Sequence, residues 1–348
     1  MPLPAGHERP QYTRNDVLLA IIIALFIATA FVFLDKPPRL TPVFMVQLFA
    51  TATLPLVYAI LAHAAVAWLK TGSLDAAISH TRNAMTKDTL WRALRLTSLF
   101  AAFILTFPAW KTQIPDFNPY RWDTAFATLD RMIHFGVQPW EVLNTVTGYG
   151  LFTAVIDKVY YLWFPAIFMA MGAAALSAAS RISQRFLISF VLSWIIIGVA
   201  LAIAFSSVGP IFLDRLTGTP GEFASLTANL EAVDAVDALR TIQVRDQLWA
   251  SYLGMDTGIV SGISAMPSMH NAICVLMFLA ARHVHRTVAI AAGLFALAIF
   301  TGSVHLGWHY AVDGYASAIL VSIIWKLSGK LVPAERRQIS EASAATTS

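Results

Sequence analysis

Along this chain, long apolar runs alternate with short polar segments, and the length of the runs sets the first expectation. About 20 mostly apolar residues are needed for a helix to cross the hydrocarbon layer of a bilayer. Eight runs reach or approach that length: 17–34, 44–69, 89–110, 150–176, 186–205, 264–281, 288–304 and 310–325. The last three are short and closely spaced, so their ends are the least sharply marked. A span buried in lipid must satisfy its own backbone, which makes each run a helix. The pattern therefore predicts an all-α polytopic membrane bundle of about eight transmembrane helices. The first run is long for the apolar stretch of a secretory leader and no tidy cleavage site follows it, so it reads as a span.

Two polar-to-amphipathic segments are too long to be simple connectors. Residues 111–149 contain "RWDTAFATLDRMIHFGVQPW", in which aromatic and apolar residues recur between charges. This predicts an interfacial helix with Trp122 and Trp140 at headgroup level. Residues 209–262 begin "GPIFLDRLTGTPG" and continue "SLTANLEAVDAVDALRTIQ", with leucines and valines at helical spacing. That is read as one amphipathic helix over a membrane face, either a lid or a plain packing helix. The tail is small and polar, which predicts disorder. The expected organisation is 1–110 as N-terminal transmembrane helices, 111–331 as a catalytic membrane core with interfacial outer loops, and 332–348 as a disordered cytoplasmic tail.

Composition agrees with the pattern. The 348 residues are 57% hydrophobic and 13% charged, against about 25% charged in soluble domains. The net charge of +4 is scattered along the chain, which points away from a nucleic-acid partner and towards the lipid bilayer. Cys274 is the single cysteine, so an internal disulfide and a cysteine-based metal cluster are excluded. It reads as a small apolar residue inside a span.

The cations orient the spans. With both termini placed in the cytoplasm, fifteen of the 24 lysines and arginines fall on the inner side. Eight fall outside: Lys36, Arg39, Lys111, Arg121, Arg131, Arg215, Arg240 and Arg245; Lys158 lies within a span. The excess of inner cations supports that orientation. It brings His270, His309 and Asp313 to the outer ends of the sixth and eighth spans. One topology thus gathers three separated polar residues at one membrane face, and the expected setting is a plasma (inner) membrane with an extracytoplasmic site.

In "HYAVD", His309 and Asp313 share one helix face about one turn apart. A carboxylate there can fix the imidazole tautomer and leave the other ring nitrogen as a nucleophile or base. The common alternative is a surface ion pair, but ionisable groups in an apolar run are costly and point to function. In "SAMPSMH", Pro267 suits a first helical turn and Ser264 or Ser268 can cap it. The free amides of that turn make an anion site, with the Ser268 hydroxyl and His270 beside it. The alternative is an ordinary capped helix with a bystander histidine. Together these residues supply a nucleophile, an orienting carboxylate, a proton donor and an anion cradle. They suit phosphoryl transfer through a phosphohistidine with no cofactor and no obligatory metal. A zinc site built from His270, His305, His309 and Asp313 is the competing constellation.

"PSMH" followed by "HYAVD" resembles the type 2 phosphatidic-acid phosphatase superfamily, whose second motif is Pro-Ser-Gly-His and whose third is Ser-Arg-x5-His-x3-Asp. The resemblance covers about 157–330 and implies a six-helix core, with His309 as nucleophile, Asp313 as its partner and His270 as the acid that protonates the leaving group. Three departures stand out. Met269 replaces the glycine, Gly302 and Ser303 occupy the Ser-Arg positions, and the first motif, Lys-x6-Arg-Pro, is reduced to "KVYYLWFP". The pattern is more similar to the branch containing inositol phosphorylceramide synthase, an inositolphosphotransferase, to which "SSVGPIFLDRL" and "IDKVYYLWFP" also bear likeness.

A transferring phosphoryl group needs fixed positive partners, and the usual arginines are missing. Arg215 and Lys158 are the leading substrate-binding candidates, with Ser268. Their alternatives are an ion pair of Lys158 with Asp157 or a snorkelled lysine, and a pairing of Arg215 with Asp214 or a lipid headgroup. Tyr160, Tyr161 and His305 read as packing residues. The expected activity is a lipid phosphatase or phosphotransferase acting on a phospholipid or sphingolipid phosphate, with an alcohol as a possible acceptor. The alternatives are a transporter or channel with an intramembrane His/Asp relay and a catalytically degenerate membrane scaffold.

Overall fold

A computed structural model describes residues 14–39, 41–148, 150–177, 180–255 and 262–332. Among them there are helices and no strands. Seven helical stretches are long and apolar enough to cross a membrane, and the chain is an integral membrane protein with an all-α bundle architecture. The expected polar tail, apart from Val332, lies outside the described residues.

The N-terminal third supplies α1 (Arg14–Phe33), α2 (Pro42–Thr71), α3 (Leu74–Ala84) and α4 (Lys87–Thr112). Thr41, Ser73 and Thr86 start the last three, each hydroxyl accepting an amide hydrogen bond from the first turn. The membrane faces of these helices are apolar and open: Ile21, Leu25, Val46 and Phe49 are all exposed. At the end of the bundle where α1 and α4 begin, polar groups satisfy one another. Arg92 pairs with Asp16 at 2.7 Å, and the Asn15 side chain donates to Gln184 at 2.5 Å.

The segment expected as one interfacial helix contains two longer helices, α5 (Asp123–Ile133) and α6 (Pro139–Thr147). The chain breaks between them at Phe135 and Gly136, which both take positive φ. Trp140 is buried in the protein core rather than standing at headgroup level, because α6 packs on a later span. The fourth span is α7 (Leu151–Tyr161) followed through Leu162 by α8 (Trp163–Leu176). It runs closely along α2: a Cβ on Gly172 would lie 1.8 Å from the Pro55 carbonyl oxygen, so only glycine permits that approach.

The fifth span, α9 (Arg181–Ile195) continued by a π-helical turn at Ile196–Leu201, is the most buried of the seven. Outside the membrane core, a cap of three helices follows: α10 (Pro210–Thr217), α11 (Ala224–Asp234) and α12 (Arg240–Tyr252). Sequence periodicity suggests one helix across 225–243, but the chain turns between α11 and α12. The Asp234 carboxylate accepts from the Leu239 amide at 2.7 Å. Asp157, from α7, accepts from the Arg240 and Thr241 amides at 3.0 and 2.9 Å and so starts the new helix.

The last three helices are α13 (Met269–Ala281), α14 (Arg286–His305) and α15 (Ala311–Leu331), of which α14 and α15 are long enough to span. The run expected to cross from 264 makes only thirteen residues of helix, about 20 Å at 1.5 Å per residue. That falls short of a bilayer core of about 30 Å. The missing length is extended chain at 262–268, tolerated because its polar groups bond within the protein. The Ala265 amide donates to Ser207 at 3.0 Å and the Ser268 amide to the Asp313 carbonyl at 3.4 Å. The Tyr120 hydroxyl donates to the Ile263 carbonyl at 2.8 Å. Three connecting strands of chain, 206–210, 262–268 and 306–310, therefore converge at one end of the bundle.

Candidate active site

His309 stands in the turn between α14 and α15, and its geometry is set by its neighbours. Its amide donates to the Ser303 carbonyl at 3.0 Å, and its Nδ1 lies 3.2 Å from Asp313 Oδ2. The same carboxylate oxygen accepts from the Tyr310 amide at 3.1 Å, so Asp313 caps the helix that carries it. The side chains of His309 and Asp313 are 5% and 0% exposed, which makes this a buried pair and not the surface ion pair its spacing also allowed.

His270 occupies the first turn of α13, immediately after Met269. Its ring centroid lies 5.9 Å from that of His309. Two aromatic rings flank it: Tyr160 stacks at 4.8 Å and Trp163 lies at 4.3 Å. The Trp163 indole N–H also donates to the His270 carbonyl at 3.1 Å, which locks the helix start against α8. Ser268 caps α13 as its position suggests, its hydroxyl accepting from the Asn271 amide at 3.3 Å and side chain at 3.1 Å. Asn271 also donates to Ser303 at 3.3 Å. The hydroxyl of Ser268 is therefore buried in the joint between α13 and α14.

The positions where an arginine would be expected are filled differently. A Cβ on Gly302 would meet Ile156 and Tyr160 at 3.2 Å, and Ser303 is fully buried with its hydroxyl on the Phe300 carbonyl. No cation stands there. The two proposed substitutes are each held in an ion pair with an acid of the cap. Lys158 pairs with Asp237 at 3.5 Å, with side chains 69% and 52% exposed. Tyr160, which touches His270, is two residues further on and so about 200° around the helix. Asp157, suggested as a partner for Lys158, is committed to capping α12. Arg215 is held by Asp246 at 2.8 Å, not by its neighbour Asp214, whose carboxylate accepts from the Gly221 amide. His305 turns the other way, its Nε2 2.8 Å from the Thr153 hydroxyl, so the zinc constellation loses one of its ligands to α7.

Two carboxylates missed by sequence reasoning organise the start of α15 and the segment before α10. Asp130, on α5, accepts from the Ala311 and Val312 amides at 2.7 and 2.9 Å. It thereby satisfies two of the free N–H groups at the start of α15. Asp123, two turns earlier on the same face, accepts from the Val208 and Gly209 amides and from the Tyr310 hydroxyl. Burial raises both carboxyls above the usual value of 3.8, against the pull of those amides. The signal was present as two acids seven residues apart beside the buried Phe126 and Ala127, on the stripe that should have been apolar.

The arrangement matches a known pattern across more than half of the chain. A model of the PAP2 superfamily matches residues 124–327. The chain belongs to the PAP2 superfamily. That superfamily typically consists of phosphatases and phosphotransferases and acts on phosphorylated lipids in a membrane, which supports an enzyme. The PAP2 segment begins earlier than the resemblance in the sequence indicated, at 124 and not near 157, and so takes in α5 with Asp130. Neither a curated protein nor a solved structure matches this PAP2 chain.

Proposed function

We propose that the protein cleaves a lipid phosphate ester by transferring its phosphoryl group to His309. The observation that carries this is the 5.9 Å separation of the His270 and His309 rings, with Asp313 behind His309. Rings this close let one phosphate ester contact both, since attack needs phosphorus about 3 Å from the nucleophilic nitrogen and proton donation needs the leaving oxygen within about 3 Å of the donor.

In the first step the free ring nitrogen of His309 attacks phosphorus. The N–P bond forms, the ester P–O bond breaks, and the leaving alkoxide takes a proton from His270. Asp313 stabilises the positive charge that develops on the His309 ring. In the second step neutral His270 takes the proton of water or an alcohol, whose oxygen attacks phosphorus and releases His309. The rings of Tyr160 and Trp163 against His270 support its role as the acid, since aromatic faces favour an adjacent cation. Acceptor water makes the protein a phosphatase; an acceptor alcohol makes it a phosphotransferase, as in the inositol phosphorylceramide synthase branch. Asp313, His309 and His270 act at the outer face of a plasma membrane with both termini inside, and the substrate is a phospholipid or sphingolipid phosphate.

Incubating purified protein with phosphate-labelled lipids and trapping the enzyme at alkaline pH should yield labelled protein and a dephosphorylated lipid. His309→Ala should abolish both, and Asp313→Asn should retain the fold while lowering turnover by about 10²–10⁴-fold, by analogy with a histidine deprived of its orienting carboxylate. An unchanged phosphoenzyme signal in His309→Ala would remove it as nucleophile. No product from any lipid phosphate would leave the transporter or scaffold alternative standing instead.

A further inference from the structure

We propose that Lys111, at the outer end of α4 and outside the segment that defines the family, is the cation that binds the substrate phosphate. This rests on the phosphoryl-transfer function proposed above and supplies what that function lacks, a fixed positive group beside the two histidines.

Three observations place Lys111. First, α4 turns one face towards α13: Phe107 and Met269 are brought together at Gly198, where a Cβ would lie 2.9 Å from the Phe107 ring and 3.2 Å from the Met269 sulfur. Lys111 is one turn further out on that face, and Met269 directly precedes His270. Second, the extended segment leading to His270 starts against Lys111 itself. Gly262 has φ of 77°, and a Cβ on it would lie 2.6 Å from the Lys111 carbonyl carbon. Three residues later the same segment passes the His309 ring, with the Ala265 backbone within interaction reach of it. Third, Lys111 is within electrostatic reach of both His270 and His309.

Five other cations assigned to that side or its span are engaged elsewhere. Lys158, Arg215 and Arg245 are each ion-paired, Arg131 is paired with Glu222, and the Arg240 guanidinium lies over the Tyr161 ring. Lys111 is partly buried, and among the described residues no carboxylate pairs with it. A partly buried ammonium without a counter-ion, beside a nucleophile, suits an anionic ligand. Its location at the C-terminal turn of α4 offers a rival role, neutralising the helix dipole. The rivals differ in what they predict, because a dipole-neutralising lysine would not sense the charge of the ligand.

If Lys111 binds the phosphate, the family-defined segment is incomplete on its own, and the N-terminal helices contribute a substrate contact. The test uses the full chain in lipid nanodiscs, with a lipid phosphate as substrate and orthovanadate as a mimic of the transferring group. Lys111→Met should lower kcat/KM about 100-fold, the scale of losing one charge-stabilising group, and should weaken orthovanadate inhibition by a similar factor. Lys111→Arg should retain most activity. Because Cys274 is the single cysteine and is buried, Lys111→Cys offers one accessible thiol. Attaching an aminoethyl group there should restore turnover, whereas a neutral methyl group should not. Equal activity with either adduct, or unchanged orthovanadate inhibition in a folded Lys111→Met protein, overturns the assignment. Loss of activity in His309→Ala alongside full activity in Lys111→Met sinks Lys111 while leaving His309 in place. No phosphoenzyme in wild type sinks the function beneath both.

Discussion

Asp130 does for α15 what a capping side chain does for a solitary helix, but it reaches across from another element. Two of the first amides of α15 depend on its two oxygens, and a third depends on Asp313. Removing an acceptor leaves buried donors unpaired, which costs about 1–3 kcal/mol. Asp130→Ala should therefore lower the melting temperature of the detergent-solubilised protein by several degrees and reduce turnover, since His309 directly precedes that helix start. Asp130→Asn, which keeps one carbonyl oxygen, should fall between. A melting curve and a turnover number both equal to wild type would show that α15 does not need this cap. His309, Asp313, His270 and the capping role of Ser268 could be read from the sequence because each belongs to a local pattern, i,i+4 or helix start. Asp123 and Asp130 could not, because their partners lie more than 80 positions away and acids on an amphipathic helix usually face solvent.

At the scale of elements, α13 is the helix that departs most from its apolar run. Hydropathy measures the environment of residues 264–268, not their backbone, and extended chain buried in protein is as apolar as helix in lipid. Ser268 marked the true start as the cap of α13, whereas Pro267, expected in the first turn, precedes that cap and lies outside the helix. The cap helices are joined by charge. Arg215 and Arg245 converge on Asp246, and Arg245 also holds Glu231. Burial tends to raise Asp246, and the Arg245 and Arg215 guanidiniums outweigh it, so its carboxyl titrates below the usual 3.8. A depressed carboxyl contributes stability above its unfolded value and loses it as pH falls through the folded one. Asp246 is half exposed, so the contribution is on the order of tenths of a kcal/mol. Melting curves taken from pH 5 down to pH 3 should fall further for wild type than for Asp246→Asn. At pH 7 the variant should exchange amide hydrogens faster across α10–α12 and not in α9. Identical acid losses in both proteins would mean that the cluster does not join the cap.

At the scale of the whole molecule, the expected orientation rests on the cation count, while the proposed site rests on which helices meet. A single buried cysteine makes the orientation simple to test. Lys87 and Asp237 are exposed and should lie on opposite membrane faces. Cysteine at 237 should react with an impermeant reagent in right-side-out vesicles, and cysteine at 87 only in inverted ones. The reverse result would turn the histidines to the cytoplasm. The bundle itself was legible because lipid demands a long apolar helix wherever the chain crosses, and that demand is written residue by residue. The fate of Lys158 and Arg215 was not legible, since a cation's partner depends on the rotation and packing of its helix.

By itself, then, the amino-acid sequence determined the helical class, the approximate spans, the short-range His309–Asp313 pair and the capped start that carries His270, all of which arise from interactions within a few residues or with the surrounding solvent. Only the tertiary structure decided that α13 is short, that α5 supplies the carboxylates anchoring the start of α15, and that the end of α4 packs against the segment leading to His270. Those outcomes depend on contacts between distant segments, and no local pattern encodes which distant segment a helix will meet.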